Sequence, residues 1–324
     1  MRTVYSSALG VNVSALGFGC ASLGSRISAS RGRRALDLAF ERGVTWYDVA
    51  PPYGDGEAED VLGRFLRGRR TRVTICTKFG ISRPSISPIQ RAIRPIARHF
   101  LEMVPQIRPL MRNARSTGVR APIDPKAIEP SVAESLRRLR TDYIDVLAMH
   151  EPRVEEAADE AIFEALRRLR EKGLIRSLSV AGSLDSIKGA IRSSRPIAFA
   201  QLADNLFGDT VDKLRSFVAP NQPPFLVTHS VFHSGAMERF ERMPMLKKSI
   251  ADFCASNGLI DADMSSAGIL LAYAFSHNAD GVVITSMFSK EHIDRNCAVA
   301  EAPVLSRLAE HMKSVFMTGE RRCG

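Results

Sequence analysis

The chain has few cysteines and pairs none of them. Its five cysteines are far apart and form no CxxC motif, so we expect free thiols rather than a disulfide framework or a zinc site. His229 and His233 stand four residues apart, but their segment leaves a predicted strand for a loop, and no pattern of carboxylates accompanies it. We therefore expect no metal site in this protein.

The chain also lacks a long apolar run. No stretch approaches the roughly 18 apolar residues that span a bilayer. The first ten residues, MRTVYSSALG, hold no apolar stretch of the length found in signal peptides. We therefore expect a cytoplasmic protein without a membrane span.

Acidic residues are outnumbered by basic ones, but the imbalance is local. The net charge is +10, and the segment 81–124 supplies six of these charges through eight arginines set against Glu102 and Asp124. Phe100 is the only residue of that segment that we expect to stack on a base, and no recognition motif accompanies the arginines. We therefore expect no nucleic-acid partner.

Short apolar runs alternate with amphipathic patterns along nearly the whole chain. The runs that read as buried strands are SALGFGC, TWYDVA, VTICTK, YIDVLAMH, IRSLSVAG, AFAQLAD, PFLVTHSV and GVVITSM. Between them, patterns such as EAIFEALRRLREKG place apolar residues at helical spacing, and Gly173 supplies the stop signal.

Eight such strands alternating with helices predict an α/β protein, a (β/α)8 TIM barrel forming a single domain over residues 1–324. The segment RTVYSSALGVNVSALGF before it predicts an N-terminal β-hairpin with Gly10 near its turn. The rival architecture is an open doubly wound sheet. It normally carries GxGxxG after its first strand, and GFGCASLG does not match that spacing.

One segment interrupts the alternation, an inserted arm at 81–124 that follows the third barrel strand and contains six prolines. Loops after barrel strands emerge at the carboxyl-end rim, so we expect the arm there. Helical spacing joins Ile93, Ile96, Ala97, Phe100 and Leu101. The arm is interpreted as a lid that gives the site a basic wall for an anionic substrate, as a dimer contact, as a patch for an acidic surface, or as a solvated insertion.

Four polar residues stand at the ends of three predicted strands. Asp48 and Tyr53 lie in TWYDVAPPYG, Lys78 ends VTICTK and His150 ends YIDVLAMH. Each residue taken alone is typical of a barrel rim or a turn. Because the carboxyl ends of parallel strands share one rim, the four together predict a proton-handling site.

The chemistry of the four residues suits proton transfer at a carbonyl oxygen. A tyrosine has a pKa of about 10, and a neighbouring ammonium such as Lys78 is expected to lower it. Asp48 would hold Lys78 in place, His150 would orient the substrate oxygen, and Tyr53 would act as acid and base. A glycosidase would need two facing carboxylates, and only Glu151 accompanies Asp48 at these strand ends.

The chain resembles the aldo-keto reductases. The resemblance rests on LGFGCASLG, YDVAPPYGDGEAEDVLGRFL, ICTKFG, SLRRLRTDYIDVLAMHEP, EKGLIRSLSV, AFAQLADNLF and LAYAFSHNADGVVITSMFSKEHIDRN, and it runs from Val13 to Asn296 around the arm. It implies the same barrel, the same roles for the four residues, and NADP or NAD bound without a Rossmann fold. DVAPPYG is most similar to the sugar-dehydrogenase branch, whose members often oxidise aldoses.

The resemblance also implies a set of cofactor-binding residues. Gly19 and Cys20 would approach the nicotinamide through their backbone, Gln201 would hold its carboxamide, and Asn296 would contact the adenine. The full implied set is Gly19, Cys20, Asp48, Gln201, His229, Ser230, Ser286, Ser289, His292 and Asn296.

The sequence departs from the family pattern at the cofactor. Ala181 and Gly182 stand where the family usually has a Ser-Asn pair that grips the carboxamide. His229 stands where the family commonly has a tyrosine that stacks on the nicotinamide ring. His229 is interpreted either as a stacking ring in its place or as an ordinary rim residue. No Lys or Arg stands at the aligned positions for a 2′-phosphate, because Lys290 and Arg295 are offset. The choice between NADP and NAD therefore stays open.

Together these features predict an NAD(P)(H)-dependent oxidoreductase that interconverts an aldehyde, ketone or sugar hemiacetal and an alcohol, with Tyr53 as acid–base. The partner would be a small carbonyl, alcohol or sugar molecule, and an anionic one if the arm is a lid. The alternative is a cofactor-binding regulatory subunit with little turnover, as in the reductase-like subunits of potassium channels. The sequence predicts no oligomeric state.

Overall fold

A closed barrel of eight parallel strands forms the centre of the fold. This computed structural model describes residues 1–84, 120–195, 197–219, 223–233, 235–257, 265–303 and 307–323. Helices surround the barrel, so the predicted (β/α)8 fold is confirmed.

The strands coincide closely with the predicted apolar runs. They are β1 Thr3–Ser6, β2 Val11–Ser14, β3 Leu16–Gly19, β4 Trp46–Asp48, β5 Thr74–Phe79, β6 Ile144–His150, β7 Ile175–Ala181, β8 Phe199–Ala203, β9 Phe225–His229 and β10 Val282–Thr285. The barrel closes in the order β10-β3-β4-β5-β6-β7-β8-β9. Every residue of β5 is buried, as expected for a parallel strand covered on both faces.

The helices of the described residues fill the connections between strands. They are α1 Ala29–Glu41, α2 Ala58–Phe65, α3 Pro125–Leu139, α4 Val154–Ala158, α5 Glu160–Glu171, α6 Leu184–Arg192, α7 Thr210–Arg215, α8 Ala236–Glu241, α9 Pro244–Ser256, α10 Ser266–His277, α11 Lys290–Glu301 and α12 Leu308–Cys323. Within the described part of the chain, none of them has the length and apolar character needed to cross a membrane.

Helix α5 shows how the local sequence builds one such element. The Asp159 carboxylate caps its first turn by accepting from Ile162 N. The predicted apolar positions all face the barrel and are buried, and each fully buried aliphatic side chain such as Leu166 contributes about 1.5–3 kcal/mol to folding. Beyond the helix end, Gly173 adopts φ 73°, a left-handed conformation that glycine accepts without strain.

Aromatic packing fills the barrel interior. Trp46 of β4 packs against Phe199 and Phe225, which lie on strands across the barrel, with ring centroids 5.8 Å and 6.5 Å away. Trp46 is fully buried, two residues before Asp48 on the same strand. The side chain of Asp48 therefore shares the inward face of β4, one layer closer to the carboxyl-end rim.

The predicted N-terminal hairpin is confirmed. Strands β1 and β2 pair antiparallel, with Thr3 opposite Ser14 and Ser6 opposite Val11. Gly10 closes the turn at φ 69°. Ser14 then fixes the hairpin to the barrel through reciprocal 2.8 Å hydrogen bonds with Thr45, in which each backbone N–H donates to the other side-chain oxygen.

Both ends of the inserted arm are described and meet each other. Ile81 forms a bridge with Arg120 just past the end of β5, which places the base of the arm at the predicted rim. On the far side, Asp124 caps α3 by accepting from Lys126 N at 2.9 Å. The helix predicted around residues 93–101 lies outside the described residues.

Candidate active site

Three neighbouring strands bring the four predicted residues to one rim of the barrel. Asp48 ends β4, Lys78 lies near the end of β5 and His150 ends β6. Tyr53 begins the short 3-10 turn Tyr53–Gly56 that follows β4. The strands are adjacent and parallel, with Asp48 level with Cys76 and Lys78 level with Ala148.

Lys78 and Asp48 form a buried ion pair. The Lys78 ammonium donates to Asp48 Oδ1 at 2.6 Å and to the Val49 carbonyl at 3.1 Å. Gln201 Nε2 donates to the second carboxylate oxygen of Asp48 at 3.0 Å. Both oxygens of the carboxylate therefore have a donor, which a charge so far from water requires.

Tyr53 lies between the ammonium and the imidazole. Lys78 Nζ is 4.9 Å from the centroid of the Tyr53 ring. The His150 ring meets the same ring edge-on, with centroids 5.7 Å apart at 84°. Tyr53 and His150 are only partly buried, whereas the ion pair is buried. His150 Nδ1 is itself buried and has no hydrogen-bond partner among the described residues.

The electrostatics of the site differ from the sequence-based expectation for Tyr53. Burial raises the pKa of Tyr53, and although the charge of Lys78 and a hydrogen bond from it lower that pKa, burial is the larger effect. The net pKa thus lies above its ordinary value, whereas we expected a lowered one. A sequence pattern shows that a cation is near but not how completely water is excluded.

The neighbouring bases have well-defined charge states. Burial alone would lower the pKa of Lys78, but the charges of Asp48 and Tyr53 raise it above the usual value, so Lys78 remains an ammonium. Burial, reinforced by the charge of Lys78 and by His229, lowers the pKa of His150 to about 3. His150 is therefore neutral at physiological pH, and one of its ring nitrogens carries a proton.

The turn that carries Tyr53 has an unusual backbone. Gly54, Asp55 and Gly56 adopt φ values of 59°, 56° and 88° in succession. A Cβ on Gly54 would stand 1.7 Å from the Leu23 carbonyl oxygen, so only glycine fits there. The turn is closed against the β3–α1 loop by a 3.0 Å hydrogen bond from Gly54 N to the Ala21 carbonyl.

Two residues that the sequence analysis did not identify support this turn. The Arg83 guanidinium donates from Nε to the Gly56 carbonyl at 3.1 Å and from Nη2 to the Glu59 carboxylate. Glu59 is buried and also accepts from Thr77 Oγ1 at 2.8 Å. Since Thr77 precedes Lys78, Glu59 and Arg83 connect the base of the arm to both Tyr53 and Lys78.

Three of the residues implied as cofactor ligands lie beside Asp48. Cys20 N donates to the Asp48 carbonyl at 2.8 Å, and Gly19 is level with Asp48 across β3 and β4. Gln201 contacts Asp48 and accepts from Cys76 Sγ at 3.8 Å. One amide N–H and part of the acceptor capacity of Gln201 stay available for a ligand.

His229 ends β9 and Ser230 follows it, on the same rim. His229 Nδ1 and Ser230 Oγ are 2.8 Å apart, and Ser230 takes a left-handed φ of 69°. The pKa of His229 is lowered by burial and by the charge of Lys78, against a raising effect of Asp48. The imidazole is thus a neutral ring within electrostatic reach of the ion pair. Ser183, in contrast, caps α6 by accepting from Ser186 N at 3.2 Å.

The remaining implied residues surround the start of α11. Ser289 caps this helix by accepting from His292 N at 3.2 Å, and Ser286 Oγ donates to the Gly19 carbonyl at 3.4 Å. Asn296 donates from Nδ2 to Thr285 Oγ1 at 3.1 Å. Its buried Oδ1 has no hydrogen-bond partner among the described residues.

Two cations near this end of the barrel, Lys290 and Arg31, have different surroundings. Lys290 pairs with Asp294 one turn along α11. Arg31, at the start of α1, donates from Nε to the Phe288 carbonyl at 3.4 Å and so lies beside the β10–α11 loop. No motif spacing could have found Arg31, because 257 positions separate the two residues.

Comparison with known proteins places this geometry in a family. The sequence profile of the Aldo/keto reductase family matches residues 15–313. A D-threo-aldose 1-dehydrogenase of a Pseudomonas species is 29% identical over 204 residues, which cover 58% of this chain and 56% of the relative. An L-galactose dehydrogenase of Arabidopsis thaliana is 24% identical over 182 residues, covering 53% and 46%. The matches thus span about half the length of these curated relatives.

Solved structures agree in fold. A glycerol dehydrogenase of Gluconobacter oxydans superposes with a TM-score of 0.75 at 18% identity, covering 98% of this chain and 95% of that one. An aldo-keto reductase of Bacillus halodurans gives 0.74 at 21% identity, covering 97% and 96%. Since the profile spans nearly the whole chain and the barrel agrees with it, this protein belongs to the aldo/keto reductase family.

Proposed function

We propose that this protein is an NAD(P)(H)-dependent oxidoreductase that interconverts a carbonyl compound and an alcohol, with Tyr53 as the acid–base. The observation that carries the proposal is the position of Tyr53, with its ring 4.9 Å from the Lys78 ammonium and edge-on to His150 at 5.7 Å. Membership of the aldo/keto reductase family supports the same chemistry.

The residues around Asp48 and α11 fit a nicotinamide dinucleotide. The buried Oδ1 of Asn296, which has no partner in the part of the chain that the structure describes, is an acceptor suited to an adenine amino group. Gln201 would hold the nicotinamide carboxamide, His229 would stack on its ring, and Gly19 and Cys20 would line it through their backbone. Ser230, Ser286, Ser289 and His292 would bind the phosphates and riboses. When bound, the dinucleotide supplies or accepts the hydride.

In the reduction direction Tyr53 would donate a proton to the carbonyl oxygen. Its raised pKa keeps the phenol protonated before the reaction. The Lys78 ammonium, fixed by Asp48, would stabilise the phenolate that remains. The neutral His150 ring would donate a hydrogen bond to the same oxygen and orient it. In the oxidation direction the phenolate of Tyr53 would accept the proton of the substrate hydroxyl.

The substrate we propose is a small aldose or polyol. The D-threo-aldose and L-galactose dehydrogenases among the relatives are named for sugars. The stretch containing Tyr53 resembles the sugar-dehydrogenase branch of the family. Reduction of glyceraldehyde and oxidation of L-galactose and L-fucose provide suitable first assays, with 4-nitrobenzaldehyde as a carbonyl without hydroxyl groups.

We further propose that NADPH binds more tightly than NADH, because Arg31 provides a cation beside the β10–α11 loop where a 2′-phosphate would lie. Trp46, the only tryptophan, lies on the strand of Asp48 and can report both titrations by its fluorescence. Arg31→Ala should weaken NADPH binding about tenfold or more and leave NADH unchanged. Lys290→Ala, which removes a cation already paired with Asp294, is the control.

These titrations also separate the cofactor proposal from its alternatives. Tighter NADH binding, or an equal effect of Arg31→Ala on both nucleotides, would contradict the role of Arg31. Binding of neither nucleotide would contradict the oxidoreductase proposal as a whole. Nucleotide binding without turnover of any of the assayed substrates would favour the cofactor-binding regulatory alternative.

A further inference from the structure

Six arginine side chains surround a cavity of about 450 Å3 on the outside of the barrel. They come from α1, from the end of α2 and the turn that follows it, and from the end of α3. The lining residues, called the arginine pocket below, are Arg33, Arg64, Arg67, Gly68, Arg69, Arg72 and Arg140.

The arginine pocket has little negative charge of its own. Asp37 Oδ1 is 3.1 Å from Arg69 Nη1, and Asp37 Oδ2 is 4.0 Å from Arg33 Nε. The other four guanidinium groups form no ion pair with any carboxylate among the residues that the structure describes. Six guanidinium groups therefore line the cavity, and Asp37 is paired with two of them.

Part of the pocket wall is held in place by the core. Arg69 donates from Nη1 to the Phe65 carbonyl at 3.0 Å and lies over the Phe65 ring at 4.8 Å. Arg72 lies over Phe40 at 4.6 Å. Stacking fixes the plane of the Arg72 guanidinium without using its N–H donors, which stay available to an anion, whereas Arg69 already uses Nη1.

The pocket is separate from the candidate active site. Arg72 lies two residues before β5, and Arg140 follows the last residue of α3, before β6. Both therefore lie toward the amino ends of strands whose carboxyl ends carry Lys78 and His150. A ligand in the arginine pocket would contact none of the four residues of the active site.

We propose that the arginine pocket binds a compact oligophosphate anion free in solution. Guanidinium groups match the oxygens of a phosphate in a bidentate manner, and six of them exceed what one phosphate can use. The volume lies in the range of small-molecule pockets, roughly 300–1,000 Å3. The groups form a cavity bordered by three helices, which suits a compact ligand better than the flat surface of a bilayer.

Isothermal titration calorimetry with sodium triphosphate tests this proposal. The wild-type chain should bind one triphosphate, and binding should weaken as salt is added. The double variant Arg64→Gln/Arg67→Gln should bind at least about tenfold more weakly, since each lost charged hydrogen bond is worth about that factor. The matched control Arg170→Gln/Arg242→Gln removes the same charge from exposed positions elsewhere and should bind as the wild type does.

The contrary outcomes are distinct. An equal loss in both double variants would show a response to net charge alone and overturn the proposal. Unchanged binding in the Arg64→Gln/Arg67→Gln variant would place the anion elsewhere. Absence of triphosphate binding to the wild type would also overturn it. If, in that case, phosphatidylcholine vesicles containing phosphatidylinositol bisphosphate were bound, the arginines would serve a membrane surface instead.

Discussion

The active-site rim and the arginine pocket hold positive charge in opposite ways. On the rim, the Lys78 side chain is 1% exposed and is paired at 2.6 Å with an equally buried carboxylate. In the arginine pocket, Arg33 is 58% exposed, and most of the guanidinium groups have no carboxylate partner among the described residues. One region neutralises its cation within the protein, and the other presents its cations to solvent.

Solvation explains the difference and assigns a use to each region. A buried ammonium without a partner would lose its hydration with no compensation, so Lys78 needs Asp48. The fixed pair can then stabilise a charge that appears on Tyr53 during a reaction. Exposed arginines are hydrated and screened, so they tolerate one another and stay available for an external anion.

The largest expected effect comes from breaking the buried pair. Lys78→Met leaves Asp48 buried without its cation, which should destabilise the fold by about 3–5 kcal/mol and lower kcat by about a hundredfold or more. The double variant Asp48→Asn/Lys78→Met should recover much of the stability without recovering activity. Chemical denaturation and steady-state kinetics measure the two quantities. Near-normal turnover of Lys78→Met would refute its assigned role.

A smaller effect is expected where the turn of Tyr53 is supported. Arg83→Met removes the donors to Gly56 and Glu59, and should lower kcat about tenfold by letting Tyr53 leave its position. The variant should leave the pH profile of kcat unchanged in shape, because Arg83 does not transfer the proton. Arg167→Met, which loses surface pairs with Glu160 and Glu164, is the control. An equal effect of both substitutions would rule out a positioning role.

The pH dependence of stability should expose the neutral state of His150. Its pKa is about 3 in the folded chain and about 6.5 when unfolded. Below pH 6.5 the unfolded chain gains a proton that the folded chain does not take, so stability falls as the pH drops toward 3. Melting curves of His150→Gln should show a shallower fall. The exposed His292→Gln serves for comparison, and identical slopes for wild type and His150→Gln would contradict the assignment.

The smallest effect is expected in the arginine pocket without its ligand. Arg64→Gln/Arg67→Gln removes one partly buried and one exposed cation from a cluster of like charges. The free energy of unfolding should therefore rise by a few tenths of a kcal/mol at low salt. The gain should vanish at high salt because the charges are then screened. Denaturation at two salt concentrations measures it. A loss of stability would show that these arginines contribute to the fold.

The sequence predicted the barrel and the meeting of Asp48, Tyr53, Lys78 and His150 for the same reason. A polar residue ending a fully apolar strand is conspicuous, and parallel strands leave one place for such residues to meet. The hairpin could also be predicted, because its signal is local: Gly10 marks its turn.

Other features depend on contacts that no local pattern records. Glu59 occupies an ordinary acidic position at a helix start, and only tertiary packing buries it against Thr77 and Arg83. Arg31 reaches Phe288 from the other end of the chain. The arginines of the pocket resemble solvated helix faces until folding gathers them. The predicted lowering of the Tyr53 pKa was wrong because the exclusion of water, which raises that pKa, is a property of the assembled barrel.

The most direct test of the account is the turnover of Tyr53→Phe on a carbonyl that the wild-type protein reduces. The variant keeps the ring between Lys78 and His150 but loses the hydroxyl, so kcat should fall by about 10²–10⁴-fold. Nucleotide binding, followed by Trp46 fluorescence, should not change. Tyr5→Phe, at an exposed position of the hairpin, should be fully active. If Tyr53→Phe retained near-normal kcat, Tyr53 would not be the acid–base and the central claim would be wrong.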